Sequence, residues 1–181
     1  MAYGILCLRI VLGLTIAGHG AQKLFGWWGG PGLYGVRDWL ARMRFRGGWL
    51  PVALLVGAEF GGGVLLALGL LTPFAALAVT AAMFVAVALA HWRNGFWNGA
   101  GGFEFNLLII AAAVALAATG GARFSLDDAI GWADNLSGLW WGVGVLGVAA
   151  LGAFLVLTLG RRPEQPAVEE HPDEREHLRA A

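Results

Sequence analysis

Five long apolar stretches alternate along the chain with shorter polar or glycine-rich segments. They cover residues 4–25, 49–71, 73–92, 103–119 and 138–160. A helix that crosses a bilayer needs about 20 mainly apolar residues, because the hydrocarbon core is about 30 Å thick and a helix rises about 1.5 Å per residue. The pattern therefore predicts an all-α membrane protein with five transmembrane helices.

The longest segment between two spans, residues 26–48, is rich in glycine, tryptophan and arginine. Its second half, residues 36–45, has the alternation of apolar and cationic positions that is typical of a short amphipathic helix lying in the membrane interface. In this interpretation Trp39, Leu40 and Met43 face lipid, while the arginines face the head groups. The sequence thus predicts a peripheral helix between the first and second spans.

Composition and charge narrow the function classes. The chain is 58% hydrophobic and 13% charged, about half the charged fraction of a soluble domain, and its formal net charge is zero. The lack of a basic excess predicts no nucleic-acid partner. Cys7 is the one cysteine, which excludes an internal disulfide and dithiol redox chemistry.

Arginines are concentrated in the segments that five spans would place on one side of the membrane. They are Arg37, Arg42, Arg44, Arg46, Arg93, Arg161 and Arg162. Positive residues favour the cytoplasmic side, so we expect the amino terminus outside and the tail in the cytoplasm. The tail, residues 161–181, is charged, proline-containing and poor in apolar residues, which predicts a disordered cytoplasmic segment.

Six ionisable side chains fall inside or at the ends of the predicted spans. They are Arg9, His19, Lys23, Glu59, His91 and Glu104. Buried charge in a bilayer costs a few kcal/mol, so such groups usually face the bundle and mark function.

All of these except Arg9 lie toward the predicted cytoplasmic side, with Glu59 about 15 Å deep. We therefore expect one cavity with Glu59 at its floor. The alternative is structural pairing, in which Lys23 and Arg9 neutralise carboxylates or Lys23 reaches the interface. Histidine and glutamate are metal-ligand types, but no H-x-x-E-H or E-x-x-H spacing occurs, so no metal site is predicted.

Several motifs, in order, resemble the DoxX family of small membrane proteins. LRIVLGLTIAGHGAQKLFGWWGG resembles the first helix of that family, GAEFGGGVLLALGLLTPFAAL the second, GFWNGAGGFEFNLL the loop into the fourth, and GARFSLDDAIG the closing motif. The resemblance spans about residues 5–131. It implies a four-helix bundle over residues 1–131, an additional helix over 132–160 and the tail over 161–181, with the six ionisable residues at the polar positions of the family.

The family is named for a subunit associated with thiosulfate:quinone oxidoreductase, and other members are linked to oxidative-stress complexes. The resemblance therefore suggests a quinone-linked redox component of the bacterial inner membrane, with quinone as the cofactor. Its electrons would come from a soluble substrate or from a partner redox subunit. In this hypothesis Glu59, His91 and His19 carry the chemistry, while Arg9, Lys23 and Glu104 hold the cofactor.

Whether the chain is itself catalytic stays open at this point. Two other hypotheses also stay open: a non-catalytic anchor or assembly factor for a cytoplasmic partner, and a small-solute or proton pathway. The lipid bilayer is an expected partner in all three, and self-association is compatible with each.

Overall fold

A computed structural model describes residues 2–46 and 48–161. These residues form seven helices joined by turns. The helices are α1 (Ala2–Phe25), α2 (Gly32–Arg42), α3 (Trp49–Leu68), α4 (Thr72–Asn94), α5 (Glu104–Thr119), α6 (Leu126–Ala129) and α7 (Leu139–Leu159). The isolated antiparallel bridge between Phe45 and Arg161 is the one β-type pairing in the described ranges.

The predicted fold class is confirmed. Helices α1, α3, α4 and α7 are each long and apolar enough to cross a membrane, and their exposed apolar faces contact the lipid bilayer. Helix α5, with 16 residues, is shorter and packs beside α4 and α7 in the same bundle. All five predicted spans are therefore observed as helices, and their ends differ from the predicted ones by three residues at most.

Close packing of α1 on α3 depends on glycines. Gly13 on α1 and Gly63 on α3 lie so near the opposite backbone that a Cβ atom on either would overlap it. Next to this contact, Leu12, Ile16 and Leu66 pack with residues of α4 and α5 in a continuous apolar core. This packing holds the first four spans together and fixes which face of α1 meets α3.

The last helix belongs to the same bundle. Gly142, Val145, Ala149 and Ala153 form its buried stripe, at the three- and four-residue spacing of a helix face. At its carboxyl end the backbone N–H of Arg46 donates to the Gly160 carbonyl at 2.7 Å, which ties α7 to the loop after α2. The two segments therefore lie at one membrane face, as an odd number of spans requires.

Two expectations about the connecting segments are corrected. The amphipathic helix runs over Gly32–Arg42 rather than 36–45, and Leu40 is buried against Val52 and Val56 instead of facing lipid. The cause is that α2 folds back onto α3 and buries Val36 and Leu40 there. The expected disordered tail lies outside the described residues beyond Arg161.

Candidate functional site

A cavity of about 380 Å³ lies among α1, α2, α3 and α4, at the end of the bundle that α2 covers. We call it the chamber. Its polar lining residues are Lys23, Trp39, Arg42, Glu59 and His91, and the remaining wall is apolar or formed by small residues. A mainly apolar cavity with a few convergent polar groups is the usual form of a small-molecule site.

The central polar contact of the chamber joins α1 to α3. Lys23 Nζ donates to both carboxylate oxygens of Glu59. The Glu59 side chain is only 2% exposed, whereas Lys23 is 28% exposed. The carboxylate is therefore held inside the bundle by a cation that itself reaches the opening, an arrangement that neutralises the buried charge.

Glu59 and His91 both lie in locally widened turns of their helices. Glu59 is the middle residue of a π-helical turn, Gly57–Gly61, inside α3. His91 ends a second π-helical turn, Val87–His91, in α4. Such turns are rare and often occur at functional sites, because they shift a side chain out of the regular helical register. The glycines around Glu59 weaken the local helix and make that widening easier.

The imidazole of His91 has a defined tautomer. Its Nδ1 lies 2.8 Å from the carbonyl oxygen of Gly101. A carbonyl oxygen only accepts hydrogen bonds, so Nδ1 carries a proton, and Nε2 is the nitrogen at which the ring would gain or lose another. The bond also fixes the ring relative to the loop after α4. His91 is therefore a positioned base at the chamber wall.

Three of the six predicted site residues lie elsewhere. His19 is exposed on α1 and is outside the chamber lining, although it is four residues from Lys23. Glu104 accepts a hydrogen bond at 3.0 Å from the backbone N–H of Asn98, so it fastens the loop before α5. The structure thus brings together Lys23, Glu59 and His91 but leaves His19 and Glu104 outside.

Arg9 lies near the opposite end of the bundle, about 21 Å along α1 from Lys23. It is 1% exposed, and its Nη2 donates to the Phe124 carbonyl at 2.9 Å. Its guanidinium packs against Gly69, which adopts the left-handed conformation with φ +64° at the end of α3. Arg9 therefore joins α1 to the α3–α4 turn and to the segment before α6.

Asp127 completes this second polar group, and sequence reasoning missed it. The carboxylate is fully buried and accepts from the backbone N–H of Leu71 at 2.7 Å, from that of Thr72 at 3.0 Å and from the Thr72 hydroxyl at 2.7 Å. It caps the amino terminus of α4, where orphan N–H groups need acceptors. We call Arg9, Gly69 and Asp127 the Arg9–Asp127 cluster. Its contacts have a structural role, because they join α1, the α3–α4 turn and the segment around α6.

Two lining residues come from α2. Trp39 is predicted to face lipid, but instead lines the chamber together with Arg42. The signal that would have located them is the apolar face of α2, which continues from Val36 to Leu40 on the side turned toward α3. Across the described ranges, no three side chains of the histidine, cysteine, aspartate and glutamate types come together as a metal site.

Comparison with known proteins gives one match. The DoxX family model matches residues 4–92. This range contains the ionisable chamber residues Lys23, Arg42, Glu59 and His91. It ends before Asp127 and before helices α5 and α7. No curated protein and no solved structure matches the chain significantly.

Proposed function

We propose that the chain, which the DoxX family model matches over residues 4–92, is a quinone-linked, redox-associated component of a bacterial cell membrane. The observation that carries the proposal is the buried Lys23–Glu59 pair, which shares one apolar-walled cavity with His91. The proposed role of the chamber is to hold a quinone head group beside proton-carrying side chains.

The lining of the chamber suits such a head group. A quinone ring is a flat apolar body with oxygen acceptors at its edge. Lys23, Arg42 and the indole N–H of Trp39 are hydrogen-bond donors in the lining, and the apolar wall supplies contact for the ring. The volume of about 380 Å³ is within the usual range for small-molecule sites, about 300–1,000 Å³.

Bound there, a quinone supplies redox chemistry by taking up two electrons and two protons. Glu59 and His91 are the residues proposed to exchange those protons, because a carboxyl group and an imidazole each accept a proton in one protonation state and release it in the other. Lys23, which is partly exposed, connects Glu59 to the aqueous side. The electrons come from a soluble donor or a partner redox subunit, since the chain offers a single cysteine and no dithiol.

The packing favours a one-sided site over a pathway through the membrane. Between the chamber and the opposite face, the bundle is filled by Leu12, Ile16, Leu66 and Val79, each less than 10% exposed. In the described part of the chain this apolar layer separates the chamber from the Arg9–Asp127 cluster. A solute or proton pathway would have to open this layer.

The orientation proposed is that the chamber faces the cytoplasm. The loop after α2 and the end of α7 are joined through Phe45 and Arg161, so the arginine-rich segments are on the chamber side. A reporter fused after residue 161 is expected to report a cytoplasmic location, and a fusion in the loop between α6 and α7 an external one. The reverse pattern would contradict the proposed orientation.

An anchor for a cytoplasmic partner is the second candidate function. The observation that favours it is the exposed cationic surface next to the chamber, which includes Arg37, Arg42 and Arg46. In this case Arg37→Glu together with Arg46→Glu, which reverses the charge of that surface outside the chamber lining, would lose a copurifying partner. Quinone reduction would then be independent of Glu59.

Quinone reduction by membranes that contain the protein tests the first proposal. Glu59→Gln removes a proton carrier from the chamber, and the expected result is a rate at least about 10²-fold lower, the lower end of the usual contribution of general acid–base groups, about 10²–10⁴-fold. Glu104→Gln is the matched control, because it makes the same chemical change outside the chamber and should leave the rate unchanged. Equal rates for wild type and Glu59→Gln would contradict the redox proposal.

A further inference from the structure

A second, larger cavity runs along the lipid-facing side of the bundle. It has a volume of about 580 Å³ and lies over α4, between α3 and α7. We call it the groove. Its depth comes from missing side chains, since Gly57 and Gly61 of α3, Ala78 and Ala82 of α4 and Gly152 of α7 form much of its lining.

The groove and the chamber adjoin each other. Leu55 of α3 and Val85 of α4 line both cavities. The chamber carries the polar groups, whereas the groove lining is almost entirely apolar. A molecule with a polar head and a long apolar tail would complement both cavities at once.

The length of the groove suits an extended apolar chain. Along α3 the groove extends from Pro51 to Leu65, a rise of roughly 21 Å. An extended chain lying along α3 would have one end beside Leu55, where the groove meets the chamber.

We propose that the groove holds the polyprenyl tail of the quinone whose head group occupies the chamber. This inference rests on the proposed function. It gives α7 a role that the family match over residues 4–92 does not cover, because α7 supplies one wall through Gly152, Ala153 and Val156. The polyprenyl tail would gain little free energy from leaving lipid, which is as apolar as the groove. Its recognition therefore depends on close packing against these small residues.

Two substitutions on one helix test the inference. Gly152→Leu places a side chain in the groove, and Gly147→Leu is the matched control on α7 outside the groove lining. At both glycines an added Cβ meets no atom within 4 Å, so both variants are expected to fold. Binding would be measured on the full chain in lipid nanodiscs, with a quinone that carries a polyprenyl tail and with the same head group without a tail.

The expected result is that Gly152→Leu weakens binding of the tailed quinone about tenfold, the effect of filling an occupied space. Binding of the tail-less quinone should not change, and Gly147→Leu should alter neither. Equal affinities of wild type and Gly152→Leu for the tailed quinone would overturn the inference. So would a copurified phospholipid, rather than quinone, that is lost from Gly152→Leu, because bulk lipid would then be the occupant.

Failure of the inference is distinguishable from failure of the proposed function. If the tail-less quinone binds wild type and Gly152→Leu equally, while the tailed quinone is also unaffected, the head-group site stands and the tail site falls. If the tail-less quinone does not bind wild type in the same nanodiscs, both proposals fail together.

Discussion

Removal of Lys23 is the perturbation whose consequence follows most directly from the structure. Glu59 is 2% exposed and its carboxylate accepts from Lys23 Nζ. In Lys23→Met the carboxylate keeps its place in the bundle and loses its cation. Breaking a buried ion pair from one side costs about 3–5 kcal/mol, because it leaves an uncompensated buried charge.

The opposite substitution should cost less. Glu59→Leu leaves Lys23, which is already 28% exposed and has a flexible stem that lets the ammonium reach the interface. We expect Glu59→Leu to lower the free energy of unfolding by about 1–3 kcal/mol. The double variant Lys23→Met/Glu59→Leu removes both charges together and should be close to wild type, since apolar replacement of a buried pair is often neutral.

Thermal unfolding in detergent would measure these differences. For a chain of this size, 1 kcal/mol shifts the midpoint by about 2–4 °C, so Lys23→Met should lower it by on the order of 10 °C. Arg93→Met is the control, because Arg93 is exposed and its loss should cost about 0.5 kcal/mol at most. A double variant as unstable as the sum of the two single variants would refute the reasoning, as would equal midpoints for Lys23→Met and Arg93→Met.

The Arg9–Asp127 cluster gives two further predictions. Gly69→Ala should destabilise the protein by at least about 2 kcal/mol, measured by the same unfolding assay, because it adds left-handed strain and a Cβ that overlaps the Arg9 guanidinium. Gly131 has a similar φ of +76° with open space around an added Cβ, so Gly131→Ala should lose only the stability that backbone strain costs. Equal losses of stability in the two variants would argue against the contact between Gly69 and Arg9. Asp127→Ala should cost about 3 kcal/mol or more through its three lost hydrogen bonds, whereas Asp128→Ala, at an exposed side chain, should be nearly neutral, and similar effects of the two would argue against the capping role.

Hydropathy and length predicted all five helical spans, because each span is a long apolar run bounded by glycine, proline or charge. The same reasoning reached Lys23, Glu59 and His91, since charge inside a span is costly and needs a reason. What it could not supply is the direction of each side chain. The widened turns at Glu59 and His91 change the helical register locally, which a 3.6-residue period does not anticipate.

Other parts of the site depend on contacts between distant segments. Lys23 and His19 share a face by spacing, yet His19 is exposed, because the close glycine contacts between α1 and α3 set the rotation of α1. Asp127 meets the start of α4 across 55 residues. The fold-back of α2, which turns Trp39 and Leu40 inward, likewise depends on the surface that α3 offers.

Mass spectrometry of small molecules copurified with the full chain is the most direct test of the central claim that the chamber binds a quinone. The comparison is between wild type and the double variant Lys23→Met/Glu59→Leu, which keeps the bundle folded while it removes the central charges of the chamber. The account predicts a near-stoichiometric quinone in wild type and its loss from the double variant. Absence of quinone from wild type, or an equal amount in both proteins, would contradict it.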